Sequence, residues 1–234
     1  MGKSSLLLEI ARNICVIDKK PVVLFTPEMT KYQVIKRLIS LNSDISSYKM
    51  AEGFLNSTEW EKFDNTIELL SSENIPFFID DTTNLTISEM RAKLRKLTQK
   101  YGEIGAVITD YLGMIKFEGN QAKTKADQIS ETALGCKNLA KEFNTVHYLG
   151  CQLSREVEKV QSKRPSLSHL KESGGIEENA NKVILLYRDQ YYNKDTKDIG
   201  IAELDLAKHR EGPTTISKMF FNADLTKFQD LEFI

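Results

Sequence analysis

Gly2-Lys3-Ser4-Ser5, running into Leu6-Leu7-Leu8-Glu9-Ile10-Ala11, has the form of the second half of a phosphate-binding loop and the helix behind it. In the complete pattern, G-x-x-x-x-G-K-[ST], backbone N–H groups at a helix N-terminus hold phosphates, the lysine reaches the outer ones and the hydroxyl ligates Mg²⁺. The first glycine of that pattern and the strand leading into it would lie upstream of Met1. Taken alone, the tetrapeptide also reads as an ordinary solvated chain start. The order of the segments that follow gives it meaning.

Leu6, Leu7, Ile10, Ala11 and Ile14 recur at helical spacing, which predicts a helix over 3–17. Pro21-Val22-Val23-Leu24-Phe25-Thr26 is a short apolar run rich in β-branched residues, the pattern of a buried strand. Thr26-Pro27-Glu28-Met29 then reads as a helix start, running to about Leu41, with proline in the first turn and an acid at the positive end. A further helix is expected from Thr58 to about Leu70, and a second strand at Pro76-Phe77-Phe78-Ile79, ending at Asp80-Asp81. Thr86-Ile87-Ser88-Glu89 has capping-box spacing and opens a basic helix to about Lys100. Ala106-Val107-Ile108-Thr109-Asp110 is a third strand, 126–143 a long amphipathic helix, and Val146–Cys151 a fourth strand ending at Gln152. Residues 153–175 read as an extended loop and Val183–Tyr187 as a fifth strand; two strand-like runs near 200–207 and 215–221 flank a turn, Lys208-His209-Arg210-Glu211-Gly212-Pro213. Strands alternating with helices predict an α/β fold: a mostly parallel central sheet flanked by helices, with a C-terminal β-hairpin, in one domain over 1–234. Such sheets bind ligands at the carboxyl ends of their strands, where Glu28, Asp80, Asp110 and Gln152 fall.

Composition narrows the partners. With 41% hydrophobic and 28% charged residues among 234, the chain is ordinary globular protein, and no apolar run approaches the ~18–20 residues of a membrane span. The expectation is therefore a cytoplasmic protein with no membrane association. A formal net charge of −1 means that nucleic-acid binding would need a local basic surface. One exists: between Arg155 and Lys171 five basic residues face two acidic ones, a local excess of +3. Cys15, Cys136 and Cys151 lack C-x-x-C spacing and read as buried reduced thiols, and His147, His169 and His209 have no zinc-site spacing.

With these positions laid out, the chain resembles the C-terminal motor domain of the bacterial replicative helicase DnaB family and its phage relatives. The matching segments, in order, are MGKSS, TPEM, FFIDDT, VITDYLGMI, LAKEF, CQLSREVE, KRPSLSHLKESGGIEENA, LLYRDQYYN and AKHREGPT. The resemblance implies a RecA-like P-loop fold, ATP and Mg²⁺ as ligands, 5′→3′ translocation on single-stranded DNA, and a hexameric ring with nucleotide at subunit interfaces. It also implies primase and a helicase loader as possible partners. By the same resemblance, Gly2, Lys3, Ser4 and Ser5 belong to the phosphate loop, and Ser4 and Asp110 to the metal. Glu28 matches the catalytic glutamate, Arg37 a family arginine on the next helix, and Gln152 the amide that couples the γ-phosphate to DNA loops. Lys208 and Arg210 match a pair reaching into the neighbouring subunit's site. Arg155, Lys163, Arg164, Lys171, Glu172, Ser173 and Gly174 fall where DNA contacts are expected.

Two residues depart from the pattern: His169 stands where the family usually has Asp, and Lys171 where it usually has Arg. Lysine keeps the charge but loses the bidentate fork. Two other readings fit the same residues. One is a DNA-binding or ring-forming module without ATPase activity, motivated by the half loop; the other is a RecA/RadA-type recombination ATPase.

Overall fold

The computed structural model describes residues 1–71 and 76–231, with 171–174 described by backbone only. Helix α1 (Lys3–Arg12) continues as one π-turn (Asn13–Ile17) and leads to strand β1 (Val22–Phe25). Then come α2 (Lys31–Ser43), α3 (Ser47–Glu52), α4 (Ser57–Ser71), β2 (Phe77–Asp80), α5 (Ile87–Tyr101), β3 (Ala106–Thr109), α6 (Lys125–Glu142) and β4 (Val146–Leu149). These four strands form a parallel sheet in the order β2-β1-β3-β4, with Val22 opposite both Phe77 and Ala106, and Ala106 opposite Val146.

The unbroken apolar runs of β1 and β3 follow from burial on both faces. Val22, Leu24, Ala106 and Ile108 face a core built with Leu7, Leu8 and Ala11 of α1 and with Val34, Leu38 and Leu41 of α2. Val23, Phe25 and Val107 point the other way, against Met90 and Leu94 of α5 and Leu139 of α6. Burying side chains of this size stabilises by about 1.5–3 kcal/mol each, so these strands are the anchor of everything at their tips.

The rest of the chain forms α7 (Gly174–Asn179), β5 (Lys182–Tyr187), α8 (Asp189–Tyr192), β6 (Ile201–His209), β7 (Thr215–Asn222) and β8 (Lys227–Gln229). Here the architecture departs from expectation. The fifth strand does not extend the parallel sheet; it opens a second, antiparallel sheet, β5-β6-β7-β8, of which the expected hairpin is the middle. The connection after β5, which holds the four-residue α8, returns the chain antiparallel to it as β6. Helix α1 ties the sheets together: Leu7 and Leu8 pack on the parallel one, while Leu6 packs with Ala202, Phe221 and Phe228 of the antiparallel one.

Two local expectations also change. The helix expected from Pro27 starts at Lys31, and residues 27–29 form a bend. A capping box decides this: Thr30 Oγ1 accepts from the Gln33 N–H at 3.3 Å and Gln33 Oε1 from the Thr30 N–H at 3.0 Å. Residues 153–175, expected to be an extended loop, hold 3-10 turns at Arg155–Lys159 and Leu167–Ser173 and the first turn of α7.

Candidate nucleotide and nucleic-acid sites

The ladder hydrogen bonds run to the strand tips and hold the residues beyond them level. The Thr26 N–H donates to Asp80 O at 2.8 Å, Asp110 N–H to Phe25 O at 2.9 Å, and Gly150 N–H to Thr109 O at 2.8 Å. Glu28, Asp110 and Gln152 therefore leave the sheet at one edge. Helix α1 begins there too. Gly2 is its N-cap, in the left-handed region at φ 113°, and the first turn has neither an acidic residue nor a side-chain cap. Its first N–H groups therefore lack a side-chain cap, and the positive end of the helix dipole has no acid of its own first turn to meet.

Lys3 connects the helix to the strands. Its Nζ lies 2.7 Å from Asp110 Oδ1, 3.8 Å from Glu28 Oε2 and 4.6 Å from the centre of the Tyr111 ring. Asp110 is 2% exposed in its side chain and Glu28 43%. Neither Asp110 oxygen accepts a well-aligned hydrogen bond among the described residues, so Lys3 supplies its charge balance and unused lone pairs remain. A buried carboxylate with free lone pairs, together with the Ser4 hydroxyl in the first turn of α1, fits a hard divalent cation such as Mg²⁺, which takes oxygen ligands.

Gly150 makes this geometry possible. A Cβ at that position would lie 2.8 Å from Asp110 Oδ1 and 3.3 Å from Lys3 Cδ. Beneath Asp110 the His147 ring is densely surrounded, its Nδ1 donating to Cys136 O at 3.1 Å and its Nε2 accepting from Thr109 Oγ1 at 2.9 Å. The loss of solvation lowers its pKa to about 4 and keeps the ring neutral. The thiols of Cys15 and Cys151 are pushed up to about 11 and that of Cys136 to about 12, all chiefly by burial.

The remaining residues fall into three groups. Gln152 is exposed just past β4, and Arg37 lines a cavity of about 240 Å³ with Glu28, Met29, Gln33, Lys36 and Ser47. Asp80, also at a strand tip, is occupied: Lys93 Nζ lies 2.5 Å from its Oδ2, so it serves the fold. Lys208 and Arg210 do not meet Lys3, Glu28 or Asp110 of their own chain. They donate instead to backbone carbonyls of α7, Lys208 Nζ to Glu177 O at 2.5 Å and Arg210 Nη2 to Glu178 O.

On the basic segment, Arg155 is exposed and Lys163, in the left-handed region at φ 50°, sits 5.5 Å from the Tyr192 ring centre. Arg164 is engaged on one side by an acid. Its guanidinium makes a two-pronged pair with Glu203, 2.5 and 2.9 Å, and lies 4.5 Å from the Tyr187 ring centre. Glu203, 9% exposed in its side chain, is held below the usual carboxylate range chiefly by this arginine. Arg164 thus ties the segment to the antiparallel sheet, with half of its side chain still exposed. The side chains of Lys171, Glu172, Ser173 and Gly174 lie outside the described residues.

The sequence reading missed Gly150, Tyr111, His147, and Arg188 with Phe221. The Arg188 guanidinium lies 4.0 Å from the centre of the Phe221 ring, which itself borders Gly2. A glycine one residue after a strand was the available signal for Gly150; contacts between Arg188, Phe221 and the chain start leave no local pattern.

A helix N-terminus facing the carboxyl ends of a parallel sheet, with a lysine across from a buried aspartate, places the molecule among RecA-like α/β proteins. More narrowly, the chain belongs to the DnaB-like helicase C-terminal domain family, whose model matches residues 1–230. It is 42% identical over 233 residues to a probable replicative DNA helicase of Trieres chinensis, covering 98% of this chain and 51% of that protein. It is 36% identical over 232 residues to the replicative DNA helicase DnaB of Geobacillus stearothermophilus, covering 99% and 50%. The chain thus spans about half the length of these relatives. Among solved structures, that of a DnaB-like replicative helicase described with its interactions with primase superposes with a TM-score of 0.93 at 33% identity, covering 99% of this chain and 55% of the other. A second solved structure, described as an ATPase domain, gives 0.91 at 33% identity, covering 98% and 81%. Among the described residues, no helix is long and apolar enough to cross a membrane.

Proposed function

We propose that this chain is the motor of a replicative DNA helicase, a single domain that couples ATP hydrolysis at subunit interfaces to 5′→3′ movement along single-stranded DNA. The observation that carries the reading is Lys3 poised 2.7 Å from Asp110 and 3.8 Å from Glu28, at the N-terminus of α1. Between turnovers the lysine neutralises the two acids; with ATP it turns to the outer phosphates, and both carboxylates are released for their own tasks. Ser4 and Asp110 would hold Mg²⁺, which supplies charge neutralisation on the phosphates when bound. Glu28, half-exposed in the bend after β1, polarises the attacking water. Gln152, whose amide both donates and accepts, registers the presence of the γ-phosphate.

Lys208 and Arg210 act on the neighbouring subunit's phosphates, so turnover requires a ring, expected to be hexameric. Arginines in such positions contribute ~10³–10⁵-fold in related chemistry. DNA backbone is gripped by Arg155, Lys163 and the Lys171–Gly174 segment, without base readout. Primase and a loader are partners consistent with this role. The test is ATP turnover and strand displacement by the chain supplied with the first half of the phosphate loop. DNA-stimulated hydrolysis and unwinding of 5′-tailed but not 3′-tailed forks is the expected result. Strand exchange without unwinding would favour the recombinase reading.

A further inference from the structure

Helix α7 lies between the Lys171–Gly174 segment, helix α6 and the basic pair Lys208 and Arg210. Its N-terminus continues the Lys171–Gly174 segment. Its Ile176 packs against the cluster of Leu112, Ala133 and Cys136, into which Cys151 and Leu149 also pack. Leu112 follows Asp110 by two residues, and its N–H donates to Gly150 O at 2.9 Å; Cys151 immediately precedes Gln152. Through α6, on which α7 packs, this shared cluster links α7 to the segments that carry the Asp110 and Gln152 side chains. Its C-terminal carbonyls, which have no partners within the helix, receive Lys208 and Arg210. The Arg210 N–H also donates to Asn181 O at 3.1 Å, two residues beyond the helix.

We propose that α7 is the positioning element for Lys208 and Arg210, and that it aims them according to the state of its own subunit's nucleotide site. The inference rests on the in-trans role proposed above for this pair. Cations at a helix C-terminus are favoured by the dipole, and holding them uses one donor of each head. An ammonium has three donors and a guanidinium five, so phosphate-directed donors remain. The helix is seated firmly enough to transmit displacement. Asn179 Nδ2 donates to Gly175 O at 2.7 Å and Ser130 O at 3.5 Å, and a Cβ on Gly175 would fall 2.9 Å from the Ser130 Cα of α6. Movement of Leu112 or Cys151 passes through the shared cluster and α6 to Ile176, shifts α7 and re-aims the basic pair toward the next subunit. Sites would then fire in order around a ring.

Mixed rings test this, using chains with a complete phosphate loop. A Lys3→Ala subunit donates Lys208 and Arg210 but has a dead site; an Arg210→Ala subunit keeps its site but lacks the arginine. Turnover in the mixture reports only donor residues acting on acceptor sites. Asn179→Ala or Ile176→Ala placed on the donor is expected to lower this rescued turnover at least fivefold. The same change on the acceptor should leave it within twofold. Sedimentation checks that rings form, and Ile176→Val supplies a milder donor change with a smaller loss of the same sign. Equal effects on donor and acceptor, or no effect on the donor, would overturn the relay. If the reference mixture of Lys3→Ala and Arg210→Ala chains shows no rescue, the in-trans role itself fails, a distinct result that removes the premise.

Discussion

Lys3 Nζ lies 2.7 Å from Asp110 Oδ1, and the aspartate side chain is 2% exposed. A carboxylate so enclosed needs a cation, and Lys3 is that cation. Lys3→Met should therefore destabilise the protein before any question of catalysis arises. Because Lys3 is partly exposed, the expected loss is about 2 kcal/mol, below the range for a fully buried pair. Adding Asp110→Asn should restore most of it. Urea unfolding of the two single variants and the double variant measures the coupling, and additive losses would contradict the pairing.

Gly150→Ala probes the same geometry from the opposite strand. Its new Cβ would press within 2.8 Å of Asp110 Oδ1. The expected outcome is a kcat at least tenfold lower with unfolding free energy changed by less than about 1.5 kcal/mol, the smaller end of overpacking effects. Steady-state turnover beside denaturant unfolding distinguishes a displaced acid from a damaged fold.

His147 should make stability depend on pH. Its folded pKa, about 4, lies below the ordinary 6.5 because loss of solvation disfavours the charged ring. Between those values the unfolded chain binds the proton and the folded chain does not, so stability falls as pH drops from 6.5 to 4 and is unaffected by this group above 6.5. The full difference corresponds to roughly 3 kcal/mol. Thermal unfolding across that window should show the decline, and His147→Gln should flatten it.

Much of this was readable from residue order. Short apolar, β-branched runs at Val22–Phe25 and Ala106–Ile108, alternating with helical patterns, read as strands buried on both faces, and the acids that follow parallel strands then emerge at one edge. The capping box at Thr86 and Glu89 marked the start of α5. The misreading at Pro27 has a definite cause: proline and an acid look like a helix start, and the competing signal, Thr30 with Gln33, lay a few residues on. The second sheet was hidden because strand direction depends on connection length and packing, not on the pattern within β5. The ion pair of Arg164 was hidden because charge counts do not see Glu203, 39 residues away in sequence.

That ion pair has a measurable consequence. Removing a phosphate contact reduces the salt slope of single-stranded DNA binding by about 0.7 per contact. Arg155→Ala and Lys163→Ala should each lower the slope by about that amount with little effect on stability. Arg164→Ala should lower the slope less, because Glu203 engages its fork, and cost about 1 kcal/mol, since its side chain is half exposed and Lys218 also lies 3.9 Å from Glu203. Binding titrations at several salt concentrations, paired with unfolding curves, test all three.

Glu28→Gln, in assembled chains with a complete phosphate loop, tests the nucleotide site most directly. The substitution keeps the side-chain shape in the bend after β1 but removes the carboxylate charge, 3.8 Å from Lys3 Nζ, that would polarise water. Measured together, ATP affinity should stay within about threefold and turnover should fall at least 10²-fold, roughly the scale of positioned acid–base catalysis. Turnover retained within a few-fold of the unsubstituted chain would contradict the placement of hydrolysis at these strand tips.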